Sequence, residues 1–163
     1  VLMDKFGPQA TLRDMSVSAL DVQAFHRSTF NRFDQFNNKY NPLGLSELRS
    51  LFLKTDNAMG GRYFAELIKD TFEQQPKNTF TEFRLSIYGR SRDEWAKLAQ
   101  WWYRHGVNHK SNRWIIQVPR IYSIYRREGS VSSFAELLSN VFLPLWDVTL
   151  RPESDPVLSA FLQ

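Results

Sequence analysis

The chain has 163 residues, 42% of them hydrophobic and 15% aromatic, enough for one ordinary domain with a sizeable core. Twenty-one Lys and Arg against seventeen Asp and Glu leave a net charge of +4, which suits an anionic ligand and is too small and dispersed to announce a nucleic-acid partner. The absence of cysteine excludes a disulfide framework and a Cys-ligated zinc and agrees with a cytoplasmic location, while the longest apolar runs, Trp114 to Val118 and Val141 to Trp146, fall far short of the ~20 residues of a membrane span.

From Val1 to Pro8 there is neither an initiator methionine nor the charged and apolar regions of a signal peptide, so the chain is read as starting inside a longer one. Thr11 with Asp14 predicts a cap for a short helix through Leu12 and Met15. Thr29 to Gly44 follows no clean period: Phe30, Phe33, Phe36 and Tyr40 are interleaved with polar residues, and Asn31, Asn37, Asn38, Asn41, Pro42 and Gly44 interrupt any long helix. Its residues fit either an amide-rich loop pinned to the surface by aromatics or a binding segment. Ser46 is a plausible N-cap for a short helix from Glu47 to Lys54, with Leu48, Leu51 and Phe52 on one face.

After Asp56-Asn57 and Gly60-Gly61, an amphipathic helix is predicted from Arg62 to Glu73, burying Tyr63, Phe64, Leu67, Ile68 and Phe72. Pro76 and Asn78 end it. Phe83 to Tyr88 reads as a strand, with Phe83, Leu85 and Ile87 on one side and Arg84, Ser86 and Tyr88 on the other. Ser91 and Glu94 then have the spacing of a capping box for a helix that buries Trp95, Leu98, Ala99 and Trp102 and ends at His105-Gly106. A second strand is expected at Trp114 to Val118. Ser133 and Glu136 form another capping box, opening a helix with Phe134, Leu137, Leu138, Val141 and Phe142 on its apolar side that should run out at Pro144. Asp155-Pro156 reads as an N-cap followed by proline at the first position of a last helix.

Strand, turn, helix, strand, turn, helix is the order of a parallel α/β sheet. Ligands of such sheets gather at the carboxyl ends of strands, which makes Arg90 and Arg120 candidates to face an anion, although a solvated arginine after a strand fits equally well. Two strands are too few for a closed barrel or a doubly wound sheet, since a complete eight-stranded barrel takes ~250 residues, so the predicted class is α/β and the chain reads as part of a larger sheet or barrel. Residues 1–80 would form a helical and loop insertion and residues 81–163 two βα units. His105 and His109 have a helical spacing that could serve a metal, but Gly106 and Asn108 argue for a loop between them and against a site. The glycine spacings of phosphate loops and of nucleophile elbows are both missing.

Several strings carry a resemblance. Arg32-Phe-Asp-Gln-Phe-Asn-Asn-Lys-Tyr-Asn-Pro-Leu-Gly44, Ser46 to Arg49, Leu53 to Asn57, Arg84 to Trp95 and Gln117-Val-Pro-Arg120 resemble, in order and spacing, successive landmarks of the AMP deaminases. The resemblance implies that the fold is part of a (β/α)8 TIM-type barrel, incomplete in this chain, and that the enzyme is a zinc-dependent one of the adenosine-deaminase type that hydrolyses AMP to IMP and ammonia. It further implies a homo-oligomer at full length, with AMP and the rest of the barrel as partners, and neither a nucleic acid nor a membrane. The family's nucleotide-binding segment, Lys-Phe-Asn-Ala-Lys-Tyr, falls on Gln35, Phe36, Asn37, Asn38, Lys39 and Tyr40. By the resemblance, Lys39 supplies a point charge for the phosphate, and Tyr40 and the amides supply oriented donors. Gln35 stands where the family has its first lysine, and Asn38 where it has alanine. The family's His-x-His pair, its later zinc-ligating His with the catalytic Glu, and its Ser-Thr-Asp-Asp stretch have no counterpart here. No catalytic or metal-ligating residue is therefore expected in this chain, which would be an internal piece of the enzyme, inactive alone. The alternative is a catalytically inactive nucleotide-binding or regulatory module that kept the AMP loop.

Overall fold

A computed structural model describes residues 53–76 and 78–163. The stretch from Thr29 to Gly44 and the predicted first helix lie outside these residues. Of the predicted Glu47 to Lys54 helix only Leu53 and Lys54 are described, and neither is helical. The chain divides into two units, Val1–Phe64 and Ala65–Gln163. Among the described residues of the first, Asn57 organises a turn: its Oδ1 accepts from the amides of Met59 (3.0 Å) and Gly61 (2.9 Å). Gly60 and Gly61 take positive φ values of 62° and 70° there, a conformation glycine adopts without steric cost.

The chain then enters α1 (Arg62–Gln74). Its buried face is Ala65, Ile68 and Phe72, whereas Leu67, predicted to be buried, is 49% exposed. β1 (Thr81–Ser86), α2 (Glu94–His105) and β2 (Asn112–Gln117) follow. The two strands pair in parallel, with Thr81 opposite Asn112 and Ser86 opposite Gln117, so the α/β reading and the parallel direction hold. Both strands begin two residues earlier than their apolar residues indicate. Polar ends are recruited by pairing: the Thr81 amide donates to Ser111 O (2.8 Å) and its hydroxyl to Asn112 Oδ1 (3.2 Å).

One face of this sheet is covered. Phe83 packs against Phe72 of α1, ring centroids 5.8 Å apart, and Trp114 against Trp101 of α2 at 6.4 Å. Trp95, Leu98 and Ala99 are buried as predicted, but at the end of the stripe Trp101, 4% exposed, takes the place expected of Trp102, which is half-buried with its ring edge-on to Phe161 at 5.5 Å. Gly106 closes α2 in the left-handed conformation (φ 59°), as its sequence position indicates.

Beyond β2 come α3 (Tyr122–Arg127), which the sequence reading missed, and α4 (Phe134–Leu150). Pro144 does not stop α4. It sits inside the helix, where it lacks the N–H that would bond the carbonyl of Asn140, a loss that ordinarily costs about 3 kcal/mol. Packing offsets it, since Leu137, Val141 and Val148 are all buried across the proline. The predicted apolar face is only half right, because Phe134, Leu138 and Phe142 are 53%, 39% and 58% exposed. A 3-10 turn (Pro152–Ser154) leads to α5 (Pro156–Leu162), capped as predicted by Asp155 Oδ1, which accepts from the Leu158 amide (2.9 Å). No helix of the described residues is long and apolar enough to cross a membrane.

Candidate functional site

Parallel pairing brings the carboxyl ends of β1 and β2 to one end of the sheet, where ligands of α/β folds are commonly held. After Ser86, Ile87 extends the ladder by one bond to Gln117 O (3.1 Å), and the backbone then turns away. Three consecutive amides of that turn converge on one carboxylate. Glu94 Oε2 accepts from Tyr88 N (2.6 Å) and Gly89 N (3.0 Å), and Oε1 accepts from Arg90 N (2.9 Å). Successive N–H groups curled in this way form an anion-binding concavity. Here it is filled from within by the first residue of α2.

This differs from the predicted capping box. Ser91 donates its hydroxyl to Asp93 and makes no cap bond, Asp93 takes the N-cap position, and Glu94 reaches back past both. Asp93 is bonded by Lys97 (2.6 Å) and by Ser91, and the two together hold its carboxyl below the usual range. The rest of the turn is anchored from α4. Asn140, 6% exposed, donates through Nδ2 to Gly89 O (3.0 Å), and Trp95 Nε1 donates to Val141 O (2.8 Å). Gly89 is required for two reasons: its φ is +75°, and a Cβ there would stand 2.8 Å from Val141 Cγ2.

The Arg90 backbone is held by this turn, and its half-exposed side chain lies back along it. Its guanidinium lies 5.1 Å from the Tyr88 ring centroid and 5.8 Å from that of Tyr125 on α3, with Nε 3.7 Å from Glu94 Oε1. Burial pushes the Tyr125 hydroxyl up to about 12, against the opposing pull of Arg90. Arg120 is exposed beyond the end of β2. At the last ladder pair, Gln117 Nε2 donates to Ser86 Oγ (3.0 Å). Glu94, Asn140 and the Ser86–Gln117 pair were not singled out by the sequence for these roles. The spacing of Glu94 carried a signal, but it pointed to the wrong partner.

The predicted binding residues Gln35, Phe36, Asn37, Asn38, Lys39 and Tyr40 lie outside the described residues. The two described histidines are not brought to one metal. His109 stacks on Phe72 (4.8 Å) and its Nδ1 accepts from the Ser111 amide (3.3 Å), while His105 lies beside Trp101. Among the described residues no group of three or more His, Asp or Glu could hold a metal ion, so these residues do not fit a zinc site. A cavity of about 430 Å³ lies between β2 and α5, lined by Trp102, Asn112, Arg113, Trp114 and Phe161. It does not include the strand-end residues.

The family model described as AMP deaminase matches residues 7–163. The chain belongs to the AMP deaminase family. It is 50% identical over 155 residues to the AMP deaminase of Schizosaccharomyces pombe, covering 94% of this chain and 18% of that protein. With human AMP deaminase 3 the identity is 49% over 152 residues, 92% of this chain and 20% of the relative. The probable AMP deaminase of rice is 49% identical over 152 residues, with 92% and 18% covered. The chain thus spans about a fifth of the length of the curated relatives it matches. What the family match covers is the whole strand-end assembly, from the Glu94 turn to Gln117 and α4.

Proposed function

We propose that the protein carrying this chain deaminates AMP hydrolytically. Water oxygen bonds to the purine carbon that bears the amine, the carbon–nitrogen bond breaks, the amine leaves as ammonia with one of the water's protons, and the other proton stays on the adjacent ring nitrogen of IMP. The observation that carries this reading is the unbroken family match over residues 7–163, at about half identity to named AMP deaminases. This segment would supply nucleotide binding. Lys39 would pair with the 5′-phosphate as a point charge, Gln35, Asn37, Asn38 and Tyr40 would supply amide and hydroxyl donors, and Phe36 would complete the segment as an apolar side chain. Residues 1–80 form the insertion that carries this loop, and residues 81–163 form two βα units of a (β/α)8 barrel. The parallel β1–β2 pair with α2 as its crossover is the arrangement such a barrel repeats. Zinc, where the complete enzyme uses it, is held by residues other than the described ones and supplies a more acidic bound water. The assembled protein is homo-oligomeric and cytoplasmic in this reading.

The test is deamination of AMP by the full-length protein, with Lys39→Ala beside wild type. A loss of one phosphate contact raises KM for AMP by about tenfold, with little change for adenosine, which has no phosphate. Absence of deamination by the metal-loaded full-length protein overturns the reading, and an unchanged KM in Lys39→Ala overturns the role of the loop. Gln35, a neutral side chain where the family carries a lysine, favours a second reading, a regulatory module that binds AMP without turnover. Calorimetric titration separates the two, because the module binds AMP when stripped of metal and releases no ammonia when metal is restored.

A further inference from the structure

Parallel sheets are ordinarily covered on both faces. Among the described residues only one face of β1 and β2 is. Phe83, Leu85, Trp114 and Ile116 form the covered face, whereas the other presents Glu82, Arg84 and Ser86 opposite Arg113, Ile115 and Gln117. All six are exposed except the half-buried Ser86. Five of the six are polar or charged, so this face is not the missing half of an apolar core. A polar face on a parallel sheet, ending at the strand carboxyl termini, is where a site would be lined.

The last ladder pair on that face differs from the others in being tied together. Gln117 Nε2 donates one hydrogen to Ser86 Oγ at 3.0 Å. A glutamine amide has two donors and one acceptor oxygen, so after this bond Gln117 keeps one N–H and its Oε1, neither of which has a partner among the described residues. An amide held by a neighbour and still offering one donor and one acceptor can bond the paired donor and acceptor groups of a purine or ribose. Arg90 stands at the same end but is turned toward α3 by its contacts with Tyr125 and Glu94. At the carboxyl end of the open face, the last ladder pair leaves Gln117 as the exposed polar residue.

We infer that Gln117 hydrogen-bonds the nucleotide substrate and that Ser86 is its positioning residue. This rests on the AMP deaminase reading above. Gln117→Leu in the full-length protein is expected to lower kcat/KM for AMP about tenfold, the scale of one lost hydrogen bond in a site. Ser86→Ala lowers it by less, roughly threefold, and adds nothing to Gln117→Leu in the double variant, because Ser86 acts only through the amide. Both side chains lie on the open face, so thermal unfolding of the variants should match wild type. Where Gln117→Leu fails to fold, Gln117→Glu serves: it keeps the shape, loses the donor and sets a charge near an anionic substrate, so KM rises. A folded Gln117 variant with wild-type kcat/KM overturns the inference and leaves the functional reading standing. Additive losses in the double variant overturn the role of Ser86. A wild-type protein that does not turn over AMP takes both readings down together.

Discussion

Glu94 shows how one side chain can replace a stretch of regular structure. Beyond Ile87 the β1 amides no longer meet β2, and each of the next three would be an orphan donor were the carboxylate absent. The Glu94 side chain is 15% exposed, so its bonds are made largely away from water, where losing a charged acceptor is costly. Glu94→Ala is expected to destabilise the protein by about 2–4 kcal/mol, read from urea unfolding. A change under about 0.5 kcal/mol, the range of an ordinary surface substitution, would mean that water replaces the carboxylate freely. The spacing of Ser91 and Glu94 announces a helix start and α2 does start there, but the carboxylate's partners are set by the path of the turn. That path depends on Asn140, 51 residues from Gly89 in sequence. Residue-scale signals were legible where the bond is local, at Gly106, Ser133 and Asp155, and opaque where it is not.

Among elements, α4 carries the sharpest contrast between local and tertiary control. Its start is local: Ser133 Oγ accepts from Glu136 N (3.1 Å), and Glu136 Oε2 accepts from Ser132 N (2.6 Å) and from the Ser132 hydroxyl. Ser133→Ala is expected to cost about 1 kcal/mol in thermal or urea unfolding. Bonding to Ser132 holds the Glu136 carboxyl below its ordinary value of 4.5. A depressed carboxyl stabilises the fold above its unfolded value and loses that contribution as pH falls through its folded one, so the penalty of Ser132→Ala should shrink on acidification from neutrality. The middle of α4 obeys no local rule. Pro144 alone says stop, yet Val148, one turn beyond it, is 5% exposed, and burial outweighs the missing hydrogen bond. The strand boundaries follow the same logic, because Thr81 and Asn112 join the ladder through a partner strand that no single stretch of sequence announces.

At the scale of the molecule, the parallel class was legible because alternation at Phe83, Leu85 and Ile87 and the helix stripe at Trp95, Leu98 and Ala99 are both period signals that survive tertiary context. The barrel was reached only through family resemblance, and two strands cannot display it. Phe134, Leu138, Phe142, Trp146 and Leu150 recur every four residues along α4 and are 39% to 64% exposed, a continuous run of large apolar side chains of the kind that marks an association surface. Together with the strand edges unpaired among the described residues, this predicts that the 163-residue chain, expressed alone, self-associates. Light scattering that returns a monodisperse monomer at micromolar concentration would refute that. The segment from Gln35 to Tyr40, proposed to bind the nucleotide, stands apart from this reasoning: its residues carry no period, and only their resemblance to a nucleotide loop separates them from a polar surface turn.

The Glu94 turn also has a consequence in time. Because the amides of Tyr88, Gly89 and Arg90 hang on one carboxylate, a single swing of that side chain releases all three together. Their hydrogen exchange should therefore share one opening rate, distinct from that of the β1 ladder before them and of the α2 helix after them. The strand end would behave as a small kinetic unit with its own latch, so motion at the corner where a ligand would arrive can be followed amide by amide without unfolding anything else.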